Sequence, residues 1–116
     1  MPQHTKYQNV TKELGGKLKV LRTALPDVVT QFNALHQTAV APGILDAKTK
    51  ELIALAVSVA ARCEGCVGFH ALALAKLGAT EAEVAETLGV AVLMGGGPSM
   101  MYSAEALAAF REFNAI

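Results

Sequence analysis

The chain has 116 residues, of which 53% are hydrophobic and 17% charged, with no tryptophan; that length sets one domain as the expectation. Ten basic and ten acidic residues cancel, and no predicted face gathers Lys and Arg, which argues against nucleic acid as a partner. The longest apolar stretch, Leu52 to Ala61, is about half of what a bilayer span needs, which argues against a membrane.

Met1 to Val10 reads as a polar, flexible leader without the apolar core of a signal peptide, so a soluble, cytoplasmic protein is expected. From Thr11, Leu14, Leu18, Leu21 and Leu25 recur at helical spacing between Lys17, Lys19 and Arg22. They predict an amphipathic helix, weakened near its start by Gly15-Gly16. Pro26-Asp27 suits the first turn of a second helix, with proline near N1 and an acid facing the dipole. That helix should run to about Ala39 and bury Val28, Phe32 and Leu35. His36, beside this stripe, reads as a packing or surface residue rather than a ligand. Ala41-Pro42-Gly43 then breaks the chain.

Asp46 is the expected N-cap of a third helix, with Lys48 and Lys50 on its exposed first turn. Leu52 to Ala61 is apolar except for Ser58, which predicts burial on every side. A fourth helix carries Cys63 or Cys66 in its first turn, continues through Phe69, Leu72, Leu74 and Leu77, and stops at Gly78. Thr80 and Glu83 form a capping box for the fifth, which uses Val84, Leu88, Val92 and Leu93. Gly95-Gly96-Gly97-Pro98 marks a sharp connection. The last helix should start at Ser99 or Ser103 and bury Leu107, Phe110 and Phe113. Met100 and Met101 read as fillers of core gaps, with an adaptable wall of an apolar pocket as the functional alternative. No strand-like alternation appears, so the expected fold is all-α, a single domain of about six helices. A chain so short and so apolar cannot cover all its apolar surface alone, and a homo-oligomer is expected.

The chemistry concentrates between Glu51 and His70. Cys63 and Cys66 are the two cysteines of the chain, and His70 follows four residues on. On a helix, positions i, i+3 and i+7 form one stripe, so two thiols and an imidazole line up. Glu51 shares a face with Leu55 and Ser58 on the preceding helix. Cysteines three apart at a helix N-terminus interconvert between dithiol and disulfide with little backbone movement, and the free amides favour the reactive thiolate. His70 can accept a thiol proton, and Glu51 can orient the imidazole. A carboxylate at the edge of a buried helix is costly without such a partner. Three other readings compete. The cysteines could be inert small hydrophobes; Cys63, Cys66, His70 and Glu51 could hold zinc, although structural zinc sites usually draw on two knuckles; or Glu51 and His70 could pair only with each other. Thiol redox chemistry is the preferred reading.

The segments Lys48-x-Lys50-Glu51-Leu52-Ile53-x-Leu55-Ala56, Cys63-x-x-Cys66-x-x-x-His70 and Ala75-x-x-Gly78-Ala79-Thr80 resemble the carboxymuconolactone decarboxylase family. They are most similar to its alkylhydroperoxidase D-like branch, over about residues 28–110. The decarboxylases that name the family lack the cysteine pair. The resemblance implies an all-helical fold, a homo-trimer or homo-hexamer, and thiol-dependent peroxidase or disulfide reductase activity without flavin, haem or metal. It implies that Cys66 is the attacking thiolate, Cys63 the more exposed resolving partner, and Glu51 with His70 the proton relay. The substrate would be a hydroperoxide, and electrons would come from a dithiol such as a lipoyl group or a thioredoxin-like protein. Gly65 departs from the pattern, since well-known members carry histidine just before the second cysteine. The alternatives are a cofactor-free lyase using His70 and Glu51 as acid and base, and a zinc-binding or non-catalytic oligomeric module.

Overall fold

Each helix boundary has a local cause, and the boundaries place the site. The computed structural model describes residues 6–115. Its helices are α1 (Lys6–Ala24), α2 (Pro26–Val40), α3 (Ala47–Ala60), α4 (Glu64–Lys76), α5 (Glu81–Gly95) and α6 (Gly97–Asn114), and no strand occurs among the described residues. Asp46 caps α3 by accepting from the Thr49 amide at 2.7 Å. Thr80 and Glu83 cap α5 reciprocally: the Thr80 amide donates to Glu83 Oε1 at 2.8 Å and the Glu83 amide to Thr80 Oγ1 at 3.1 Å. These match the expected caps.

Helices α3 to α6 form the core. Leu55 and Val59 from α3, Val67, Ala71 and Leu74 from α4, Val84 and Leu88 from α5, and Ala106, Phe110 and Phe113 from α6 close on one another. Helix α1 lies against α4 and α6, and α2 folds back on α1 with a small contact to α3. The approach of α1 to α4 requires small residues on α4. A Cβ on Gly68 would sit 2.9 Å from Thr11 Cγ2, and one on Gly65 would sit 2.5 Å from Leu14 Cδ1.

Several expectations are corrected. The flexible leader was expected over Met1 to Val10; residues 1–5 lie outside the described residues, but Lys6 to Val10 belong to α1 and Tyr7 is buried. The helix starts early because α6 caps it. Glu112 Oε1 accepts from the Tyr7 amide at 2.8 Å and the Gln8 amide at 3.1 Å, a buried carboxylate facing the positive end of the α1 dipole. Helix α6 starts at Gly97, not at Ser99 or Ser103, which are both buried within it. Gly96 alone makes the break, at φ 69, so a single residue turns the chain. Helix α2 buries none of its residues: Val28, Phe32 and Leu35 are 58%, 65% and 62% exposed. Helix α3 is not buried all round either, because Ile53 and Val57 face outward. Leu93, Met100 and Met101 are exposed as well, so the two methionines do not fill the core. The periodicity located these helices; it could not say that the folded chain leaves one side of them bare.

Candidate active site

The turn between α3 and α4 sets the geometry. The Cys63 amide donates to Ser58 O at 3.0 Å and the Arg62 amide to Val59 O at 3.1 Å, the paired bonds of a Schellman ending. Its left-handed position, where glycine is favoured, holds Arg62 at φ 56. The chain therefore reverses within three residues. Cys63 becomes the N-cap of α4, just outside the first turn where sequence placed it, and the Cys66 amide donates to Cys63 Sγ at 3.2 Å. Cys63 and Cys66 are joined as a disulfide with Cα atoms 5.2 Å apart, inside the range such bridges span. Both are half-buried.

The same reversal brings α3 alongside α4 and sets Glu51 opposite His70. Glu51, Leu55, Ser58 and Val59 are the buried residues of α3, as the shared face of the first three implied. Glu51 Oε1 lies 2.6 Å from His70 Nδ1. A carboxylate only accepts, so the ring Nδ1–H donates and Nε2 is left to exchange a proton. This pairing repays the burial of Glu51, which is 5% exposed. His70 stands one helical turn beyond Cys66, on the same stripe.

Gly65 is covered by Leu14 of α1. Where the resemblance led one to expect histidine, the space belongs to a leucine side chain. Glu64, an acid beside the first cysteine, faces Lys6 Nζ at 3.7 Å, and Lys6 also donates to Glu105 at 2.7 Å. Glu105 holds the Lys6 ammonium above its ordinary range and is itself held below the usual carboxylate range, first by Lys6 and then by Tyr7. Burial, with Glu105 beside it, raises the Tyr7 phenol well above its usual value. Part of the charge of Glu64 on the neighbouring sulfur is thereby offset.

Among the described residues no three His, Cys, Asp or Glu side chains converge as a metal would require, and both sulfurs are engaged with each other. One residue that sequence reasoning set aside does approach the site: the ring of His36 on α2 lies 6.1 Å from that of His70, centroid to centroid, with the planes 52° apart. No local pattern announces this, because α2 and α4 are far apart in sequence. An apolar groove of about 470 Å³ lies between α1 and α2, lined by Leu18, Leu25, Val28 and Phe32 together with Phe69 of α4.

A model of the carboxymuconolactone decarboxylase family matches residues 26–109. Among solved structures, a carboxymuconolactone decarboxylase family protein from Legionella pneumophila aligns with TM-score 0.92 and 53% identity, covering 95% of this chain and 98% of that one. A second member, from Thermotoga maritima, aligns with TM-score 0.69 and 31% identity over 74% of this chain and 89% of its own. An uncharacterized protein of Cupriavidus necator is 38% identical over 103 residues, 89% of this chain and 91% of that protein.

Proposed function

The chain belongs to the carboxymuconolactone decarboxylase family, and from that footing we propose that it is a cofactor-free thiol oxidoreductase reducing organic hydroperoxides through Cys63 and Cys66. The observation that carries this is the disulfide at the N-terminus of α4, one turn from an imidazole backed by a buried carboxylate. An antioxidative role has been suggested for the Thermotoga protein, which agrees with it.

The cycle balances with these residues alone plus a dithiol. His70 takes the Cys66 proton, and the thiolate attacks the terminal oxygen of the hydroperoxide. The O–O bond breaks, leaving a sulfenic acid on Cys66 and an alkoxide that recovers the proton as alcohol. Cys63 then displaces hydroxide from Cys66, its own proton completing water, and the disulfide forms. An external dithiol, a lipoyl group or a thioredoxin-like protein, returns two electrons and two protons. A homo-trimer or homo-hexamer, covering the outward faces of α2 and α3, is the proposed working form.

Turnover of cumene hydroperoxide with dithiothreitol as donor tests the assignment. Wild type should consume hydroperoxide catalytically and Cys66→Ser should not. Equal rates in the two proteins would remove Cys66 from the chemistry, and the absence of turnover in wild type would refute the activity itself.

A further inference from the structure

We propose that His36 is the proton-transfer partner of His70, the outer member of a Glu51–His70–His36 relay that joins the buried carboxylate to solvent; this rests on the redox reading above. The three groups come from three helices, α3, α4 and α2, and step outward. Glu51 is 5% exposed, the His70 side chain 21%, and His36 lies on the surface. Glu51 occupies Nδ1 of His70, so exchange with water must use Nε2, and the His36 ring is a titratable group within 6.1 Å of the His70 ring, centroid to centroid. A centroid separation of 6.1 Å is too long for a direct hydrogen bond between the rings but short enough for one water to bridge them. Imidazole is the side chain whose ordinary proton affinity suits transfer near neutral pH.

Several charged groups are already engaged elsewhere. Lys50 donates to Ala41 O, Glu105 serves Lys6 and Tyr7, Arg111 pairs with Glu81, and Glu112 caps α1. Packing within one chain does not account for the position, because α2 buries none of its residues there.

The relay has a defined task when a dithiol reduces the protein. One donor thiolate attacks a sulfur of the Cys63–Cys66 bridge, the S–S bond breaks, and the second donor sulfur closes the donor's own disulfide. Two electrons pass to the protein. The donor loses two protons, and the two cysteine thiolates take up two. His70 delivers those protons, and His36 recharges it from water.

The test is the rate at which His70 Nε2 exchanges protons with water, followed by NMR on ¹⁵N-labelled protein. Wild type is compared with His36→Ala and His36→Phe, and the alanine variant is repeated with added imidazole. Exchange should slow on the order of tenfold in both variants, a modest share of what acid–base catalysis supplies, and free imidazole should restore it in His36→Ala. Unchanged exchange in either variant would overturn the proposal. So would slowing that imidazole fails to restore, since that would mark a structural effect. The measurement needs neither hydroperoxide nor donor, so a protein without peroxidase turnover would contradict the redox reading separately.

Discussion

Two influences compete at the cysteines, and they favour different sulfurs. The Cys66 amide points at Cys63 Sγ, which stabilises charge on Cys63, whereas His70 stands one turn from Cys66. The imidazole decides the matter if it is charged by proton transfer, because an opposite charge lowers a thiol's proton affinity more than one amide does. Glu51→Gln retains shape and removes the charge that supports the imidazolium. With Cys63 changed to Ser throughout, the alkylation rate of Cys66 should then need higher pH to reach the parent value. His70→Ala should act likewise, and the double variant should cost less than the sum, because the two residues act as a unit. Coincident profiles would leave the helix N-terminus as the activating group. At this scale much of the site was legible. An acid in an apolar run, two cysteines at C-x-x-C spacing and a histidine one turn on required only that α3 and α4 pack side by side. His36 was not legible, since its approach to His70 depends on where α2 lies in space. Gly65 was noticed as a departure, but its reason, the Leu14 side chain, belongs to another helix.

Helix α4 is held between two endings of the same type. At its start, Arg62 takes the left-handed position of the α3 ending; at its finish, Gly78 does so at φ 76, with the Ala79 amide donating to Leu74 O at 3.0 Å. The two positions should respond oppositely to substitution. A side chain in this conformation costs about 1–2 kcal/mol, and glycine's greater freedom when unfolded returns roughly half of that. Arg62→Gly should therefore stabilise by up to about 1 kcal/mol, and Gly78→Ala should destabilise by about 1 kcal/mol. Urea unfolding of both variants checks this, and equal signs would contradict the backbone account. Caps with a local signature, Asp46 and the Thr80–Glu83 box, could be read from sequence because donor and acceptor lie within three residues. The α1 cap could not, since Glu112 lies 105 positions from Tyr7. Missing it made the first turns of α1 look like a leader.

The molecule as a whole leaves large apolar side chains in the open: Phe32 and Leu35 on α2, Ile53 and Val57 on α3, and Leu93 and Met94 on α5 are all exposed. Contiguous apolar surface of this kind marks a site of association. Light scattering at micromolar concentration should give a mass of three or six subunits, and a 12.1 kDa species would contradict the assembly. Hydrophobic periodicity revealed which faces were apolar; whether a face is covered by its own chain is a property of the packed molecule, which is why α2 was expected to be buried. The proposed chemistry turns on one property of the protein, that its two thiols react as a pair. The most direct measurement is therefore a count of free thiols in the fully reduced protein before and after one equivalent of an organic hydroperoxide. Both thiols should disappear in wild type and return with a dithiol, while Cys63→Ser should stop at a sulfenic acid on Cys66. Two thiols per chain surviving the hydroperoxide would contradict the account.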